Sequence, residues 1–157
     1  MGIPTLTDRQ TDTAVQNLQL VVDILNDLAL TLKHAHWNVT GPNFIAVHEM
    51  LDPQIEKVRE SVDTAAERIA ALGGSPNGLS SSVLKVAKEN LPQYTLTNKA
   101  ETLKHLKALD EQYTAIETIL RAVIEELDSA DLISSNIVQD FLLDLEQFQW
   151  FIRSHIA

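Results

Sequence analysis

Apolar residues recur at helical spacing along four long segments of the chain. The first runs from residue 12 to about 38, where no Gly or Pro interrupts it. The others cover about 44–72, 98–127 and 134–154. Apolar positions three or four apart are typical of helices that bury one face against neighbours. The pattern therefore predicts four long amphipathic helices.

Breaks between these segments indicate how the helices are connected. A Thr-Gly-Pro-Asn turn at 40–43 follows the first helix, and Gly73-Gly74 ends the second. Residues 75–97 are rich in turn formers but enclose a patch at 82–89 that could form two helical turns. The prediction is an all-α chain: a ferritin-like four-helix bundle, with a long crossover carrying a short extra helix between helices 2 and 3.

Composition narrows the class of protein. The 157 residues are 45% hydrophobic and contain no linker-like stretch, so we expect a single domain over 1–157. The sequence contains neither a basic, apolar signal segment nor a membrane-length apolar run, which predicts a cytoplasmic bacterial protein; nucleoid association is left open. The chain has no Cys, so any metal must be held by imidazole and carboxylate. Its net charge of −10 disfavours binding to a polyanion.

Candidate metal ligands are concentrated on the predicted second helix. His48 and Asp52 are four residues apart, as are Asp63 and Glu67, so each pair projects from one helix face and could hold an ion. Because 15 residues separate His48 from Asp63, the two pairs lie about 22 Å apart along a straight helix. One straight helix cannot bring both pairs to one metal.

Two arrangements could unite the pairs. The helix could fold back at Pro53, or a second copy could lie antiparallel, with a two-fold axis near Lys57 and Val58. We favour the second, because isologous contacts are the commonest in homo-oligomers. The 40–43 turn brings the end of the first helix beside the second, so either His36 or His34 could complete the site, but not both, since they lie about 200° apart.

The motifs around these residues resemble those of the Dps family of miniferritins (DNA-binding protein from starved cells). The resemblance rests on His34-Ala35-His36-Trp37-Asn38-Val39, on 43–52 (NFIAVHEMLD) and on 63–68 (DTAAER), and it extends to 72–74 and to the C-terminal 144–152. It implies a ferroxidase centre formed by His36, His48 and Asp52 of one subunit with Asp63 and Glu67 of its two-fold partner.

Several further properties are implied by the same resemblance. They are a hollow dodecamer, ferrous iron as substrate, hydrogen peroxide as preferred oxidant, a stored ferric mineral and protection against oxidative stress. The acidic stretch 125–131 corresponds to the family's pores, which makes Glu126, Asp128 and Asp131 candidates for guiding iron inward. Family members that condense DNA usually carry lysine-rich tails. Only Arg9 precedes the first predicted helix here, so we expect weak or absent DNA binding.

Simpler interpretations exist for several of these residues. Asp52 before Pro53 resembles a helix N-cap. The pair Asp63 and Glu67 could be a solvated helix face, although their like charges repel. Trp37 could intercept oxidising equivalents or only pack. We interpret Glu101 and His105, another pair four residues apart, as surface residues.

Three other functions compete with ferroxidase activity. An ordinary ferritin centre needs Glu-x-x-His motifs, and no histidine here has a glutamate three residues before it. The same ligands could serve a metal-assisted hydrolase of a small amide or ester. A structural DNA-protecting shell is the third alternative, which the negative charge argues against.

Overall fold

The structure, a computed structural model, describes residues 3–157. Four long helices and one short helix make up most of it, together with two strands of two residues each. In chain order the elements are α1 (Asp8–Asn38), β1 (Val39–Thr40), α2 (Phe44–Ala71), α3 (Ser80–Asn90), β2 (Ala100–Glu101), α4 (Thr102–Ala130) and α5 (Leu132–Ile156). The predicted four-helix bundle with a short extra helix in the crossover is confirmed.

Helix α1 begins four residues earlier than its apolar pattern predicts, and a capping box explains the extension. The Thr7 hydroxyl accepts a hydrogen bond from the Gln10 amide, and the Gln10 side chain accepts one from the Thr7 amide. Two N–H groups at the helix start are thereby satisfied. The first turn is therefore helical although its residues are polar and do not continue the apolar stripe.

The bundle consists of two helical hairpins packed together. The first hairpin is α1 with α2 and the second is α4 with α5, and α1 also packs along α4. Their facing sides bury a continuous apolar core, in which the largest fully buried side chains include Leu18, Leu25, Leu32, Leu51, Leu109, Tyr113, Ile116 and Leu120. Each such side chain contributes about 1.5–3 kcal/mol when removed from water. This core fixes the helices that carry the candidate ligands.

Tight turns bring the ends of α1 and α2 into place. Gly41 and Asn43 adopt positive φ angles of 90° and 61° between the two helices. Gly73, with φ of 91°, follows α2, and a backbone hydrogen bond from Gly74 to the Ile69 carbonyl closes that end. A left-handed residue after a helix is the usual way of satisfying its last carbonyls.

The crossover is tied to the first hairpin at both of its ends. At its start, Asp23 of α1 accepts a hydrogen bond from Ser82 of α3. At its end, β1 and β2 pair in parallel, with Val39 opposite Ala100 and Thr40 opposite Glu101. The sequence pattern assigned residues 98–101 to a helix, but this segment instead contains β2, because its backbone pairs with residues after α1. Within residues 3–157, no helix is both long and apolar enough to cross a membrane.

Candidate metal centre

His36 and His48 form an interlocked pair between α1 and α2. Nδ1 of His36 lies 2.9 Å from the carbonyl oxygen of His48, and Nδ1 of His48 lies 2.9 Å from the carbonyl oxygen of His36. The two rings stack with their centroids 3.7 Å apart and an angle of 22° between their planes. Each histidine thus holds the other helix, and His36 is almost fully buried.

These hydrogen bonds determine which ring nitrogen can bind a metal. A carbonyl oxygen only accepts, so Nδ1 of each ring must carry the proton and donate. Nε2 then keeps its lone pair, and within residues 3–157 it makes no hydrogen bond in either ring. Histidines that bind metals usually donate their other N–H to a carbonyl or carboxylate in this way. The donor set therefore suits a divalent ion.

Asp52 lies beside the pair and is held by a lysine. Its Oδ1 is 3.4 Å from Nδ1 of His36 and accepts a hydrogen bond from Lys33 at 2.7 Å. Lys33 is the principal cause of a pKa for Asp52 below its ordinary value, with partial burial opposing and the two histidines assisting. The carboxylate is therefore ionised and half exposed, as a cation ligand requires. Lys33 was not among the predicted site residues, although it precedes His36 by three residues and so shares its helix face.

The N-cap interpretation of Asp52 is wrong. Helix α2 begins at Phe44, after Asn43, and continues through Pro53 without interruption. Asp52 therefore lies more than two turns inside the helix. Pro53 removes one backbone hydrogen bond and crowds the carbonyl four residues before it, yet α2 continues through this position.

Asp63 and Glu67 project from the same helix into solvent. Both side chains are exposed, and within residues 3–157 neither makes an ion pair or a hydrogen bond through its carboxylate. Because α2 is continuous, Asp63 stands about 16 Å along the axis from Asp52. A fold-back at Pro53 is thus excluded. Across the described part of the chain, no three His or acidic residues converge on one point.

The neighbours of His36 on α1 face elsewhere. The Nε2 atom of His34 lies 2.7 Å from the Leu96 carbonyl oxygen in the crossover, away from the His36 ring. His34 therefore does not share a site with His36 in the described chain. Trp37 is 66% exposed, so its indole does not serve to fill the core.

The three acidic pore candidates differ in their surroundings. Glu126 and Asp128 are exposed, and each accepts one hydrogen bond, from Asn17 and from Ser135 respectively. Asp131 is instead buried: it accepts from Arg68 at 2.7 Å and from backbone amides that begin α5. Both of its oxygens are occupied, so Asp131 has a structural role and is removed from the pore candidates.

His105 corrects another expectation. Glu101 is exposed as predicted, but His105 is fully buried, and the Tyr94 hydroxyl lies 2.6 Å from its Nδ1. The position falls on the core side of α4, where Leu106 and Leu109 are also buried. The crossover folds over this face and covers it. Helical periodicity could not predict the burial of His105, because the residues that cover it belong to a segment without regular secondary structure.

Comparison with known proteins agrees with this architecture. Residues 15–157 match the model of the ferritin-like domain. The bundle and this match together define a ferritin-like protein.

Individual relatives identify the family within the ferritin-like proteins. The chain is 44% identical over 98% of its length to the DNA protection during starvation protein of Mycolicibacterium smegmatis, covering 82% of that protein. It is equally identical, over 98% of its length and 80% of the other protein, to the fine tangled pili major subunit of Haemophilus ducreyi. The solved structure of Mycobacterium smegmatis Dps superposes with a TM-score of 0.94 at 43% identity, covering 99% of this chain and 93% of that one. The chain belongs to the Dps family.

Proposed function

We propose that this protein is a ferroxidase and iron-storage protein that binds ferrous iron at a centre shared by two subunits. His36, His48 and Asp52 of one subunit supply one half of each centre. Asp63 and Glu67 of the other subunit supply the second half. The ferric product is stored inside a hollow homo-oligomer, for which the family resemblance suggests twelve subunits, in the cytoplasm.

The observation that carries this proposal is the incompleteness of each half-site. His36 and His48 each keep an Nε2 lone pair and the ionised Asp52 lies beside His36, yet no second acid of the described chain joins them. Asp63 and Glu67 are a matching pair of exposed carboxylates without partners on the same unbroken helix. If α2 of a second subunit lies antiparallel to α2 of the first, the acidic pair of each subunit meets the histidines of the other. The two-fold symmetry then produces two identical centres.

Iron suits this combination of imidazole and carboxylate donors. Neutral imidazole binds ferrous iron well, and carboxylates favour the ferric ion as it forms. We infer hydrogen peroxide as the preferred oxidant. Two ferrous ions each give one electron, and one peroxide with two protons becomes two waters. Because both electrons arrive at one centre, no hydroxyl radical is released, which protects the cell against oxidative stress.

The test of the shared centre is subunit mixing. Ferrous iron is added anaerobically, peroxide follows, and ferric absorbance is recorded for wild type, His48→Ala, Asp63→Ala and an equimolar mixture reassembled from the dissociated variants. We expect fast oxidation in wild type, loss in each variant and partial recovery in the mixture, where some centres receive two intact halves. Glu111→Ala, which removes an exposed carboxylate on α4, serves as the control. Wild-type oxidation no faster than in buffer would refute the proposal.

Glu126 and Asp128 are proposed to attract iron to an entrance of the shell. Repeated about a symmetry axis, such exposed carboxylates raise the local concentration of cations. The double variant Glu126→Gln/Asp128→Asn should slow iron uptake at low salt and lose this difference at high salt, because screening weakens the field. An uptake rate unaffected by the double substitution at low salt would contradict this role.

A further inference from the structure

A large groove, called the crossover groove below, lies between α1 and the crossover. Its volume is about 750 Å³. A neighbouring groove of about 470 Å³ shares Asp27, Leu30 and Leu84 with it. None of the five candidate metal ligands lines either groove. The crossover groove is therefore separate from the candidate metal centre.

The crossover groove has the size and the lining of a small-molecule site. Such sites typically enclose about 300–1,000 Å³ and are mainly apolar, with a few polar groups that orient the ligand. Two hydrogen bonds hold the walls: Nε2 of His34 lies 2.7 Å from the Leu96 carbonyl oxygen, and the Gln112 side chain donates to the Pro92 carbonyl. The crossover is thereby fixed to α1 and to α4, so the groove is preformed. Its apolar lining consists of Leu30, Leu84, Ala87, Leu91, Pro92 and Tyr94.

Asp27 is the charged group that α1 contributes to both grooves. Its carboxylate is partly buried, and within residues 3–157 it makes no hydrogen bond and no ion pair. Burial raises the pKa of Asp27, and no neighbouring donor or cation opposes this effect. An ionised carboxylate that loses water without gaining a partner is unfavourable. A cation placed beside Asp27 would offset this cost.

The other acids of α1 show that this state is particular to Asp27. Asp8 and Asp12 are exposed, so water solvates them. Asp23 is buried, but one of its oxygens accepts two hydrogen bonds, from its own helix and from α3. Among these four acids, only Asp27 is both partly buried and unpaired.

Lys88 is the other acidic or basic side chain of the lining, and its exposure argues against an anionic ligand. The residue is exposed and forms no ion pair within the described part of the chain. An exposed ammonium is already solvated, so pairing it with an anion contributes little. Pairing Asp27 gains more, because part of its hydration is already lost. The charges of the crossover groove therefore favour a cation at Asp27.

We propose that the crossover groove binds a small organic cation, with its ammonium group beside Asp27 and its apolar body against Leu30 and Leu84. The ammonium donates hydrogen bonds to the carboxylate, and the lining removes the apolar body from water. Because the ligand contacts α1 and α3 together, it also fastens the crossover to the first hairpin. The site requires neither iron nor the proposed ferroxidase centre.

Isothermal titration calorimetry of the assembled, iron-free protein tests the site with three probes of similar shape: hexylammonium, hexanol and hexanoate. Wild type should bind one hexylammonium per subunit. Its affinity should exceed that for hexanol by about tenfold or more, because a hydrogen bond to a charged group adds to the apolar contact. Hexanoate should bind no better than hexanol. This comparison uses wild type alone, so it does not depend on the folding of any variant.

Three variants locate the bound cation. Asp27→Asn keeps the shape of the side chain but removes its charge, so hexylammonium should bind only about as tightly as hexanol. Asp12→Asn removes an exposed acid from the same helix and should leave the affinity unchanged. Thr31→Phe places a ring in the crossover groove, which Thr31 lines, and should weaken binding of both hexylammonium and hexanol.

Each of several results would overturn the proposal. Equal affinities for hexylammonium and hexanol would show that Asp27 does not select the ligand. A hexylammonium affinity unaffected by Asp27→Asn would place the cation elsewhere on the acidic surface, and tighter binding of hexanoate would mean that Lys88 governs the site. Absence of binding by every probe also overturns it. Hydrogen exchange then shows whether the α3 amides are protected only on assembly, as expected if a second copy of the chain covers the groove.

Discussion

His36 and His48 each donate from Nδ1 to the other's backbone carbonyl, at 2.9 Å in both directions. Each imidazole is therefore held by the backbone of the other helix, and the two rings touch directly only through their stacking at 3.7 Å. The reciprocal hydrogen bonding also leaves Nε2 of both rings as the nitrogen available to a metal. A substitution at one position should therefore disturb the ligand at the other, beyond the loss of its own lone pair.

This relationship predicts strong coupling between the two histidines. His36→Ala and His48→Ala should each weaken ferrous binding, and the loss in the double variant should be smaller than the sum of the two, because each single substitution already removes the ring on which the other stacks. Groups that act as one unit are expected to be non-additive in this way. Anaerobic ferrous titration by calorimetry measures the effect. Additive losses of binding free energy would show that the rings act independently.

Lys33 competes with the metal for Asp52. Its ammonium lies 2.7 Å from Oδ1, so iron must displace it to use that oxygen. Lys33→Met should tighten ferrous binding by up to about fivefold, since a partly exposed ion pair contributes about 1 kcal/mol or less. Lys107→Met, at an exposed position of α4, is the control. Weaker binding in Lys33→Met would mean that Lys33 orients the carboxylate more than it competes for it.

Asp131 should support stability in a pH-dependent way. Burial opposes its ionisation, but hydrogen bonds from Arg68 and Ser134 outweigh burial and lower the pKa of Asp131. Its contribution is therefore complete above the unfolded-state pKa of about 3.9 and is lost as the pH falls through the lower folded-state value. Asp131→Asn should cost about 1–3 kcal/mol at pH 7. Urea unfolding at both neutral and strongly acidic pH measures this.

The matched variant for that measurement is Asp128→Asn. Asp128 is exposed and accepts only one hydrogen bond, from Ser135, so its substitution should change the free energy of unfolding by less. The difference in the free energy of unfolding between wild type and Asp131→Asn should become smaller at acidic pH. A difference in the free energy of unfolding that does not change with pH would indicate that the amide disturbs the packing, and that the lost charge is not the cause.

Two glycines after α2 should respond in opposite ways to the same substitution. A methyl group on Gly74 would meet Cγ2 of Ile69 at 2.9 Å and both γ-carbons of Val15 at 3.1 Å. Gly74→Ala should therefore destabilise the protein by about 1–3 kcal/mol through overpacking. A methyl group on Gly78 meets nothing within 4 Å, and Gly78→Ala should be neutral or stabilising by up to about 1 kcal/mol.

Thermal unfolding of the two glycine variants must be compared at equal subunit concentration, because association shifts apparent stability. Equal melting temperatures for Gly74→Ala and wild type would show that α1 and α2 can separate slightly at this corner at no cost.

DNA binding should be weak. The net charge of −10 opposes approach to a polyanion, and phosphate neutralisation supplies most non-specific affinity. A gel shift with linear duplex DNA at physiological salt should show free DNA, and a short polylysine extension fused to the chain should restore the shift. A stable complex of the unmodified protein at that salt would contradict the expectation from charge.

Sequence periodicity predicted the long helices well because each buries a continuous apolar stripe. The predictions failed where a segment without regular secondary structure determines whether a residue is buried. His105 was expected at the surface, but the crossover through Tyr94 covers it. The ends of helices were similarly misplaced where polar caps, such as Thr7 with Gln10, extend a helix beyond its apolar stripe.

The candidate ligands were predictable for a different reason. His48 and Asp52 share a helix face by their spacing, and His36 is brought to them by one short turn. Their relation to Lys33 was missed, since an ion pair between two helices depends on the rotation of one helix against the other. That rotation is set by packing of the whole core, which local patterns do not specify.

The separation of contacts along the chain also implies an order in which the protein forms. His36 and His48 are 12 residues apart, and only the turn around Gly41 must close to join them. The pairing of Val39 with Ala100 instead joins residues 61 positions apart and must close a much longer loop. Closure of short loops is faster and costs less entropy. The imidazole pair can therefore arise early in folding, within the first hairpin, whereas the carboxylates that we propose a second subunit supplies would join it only on assembly.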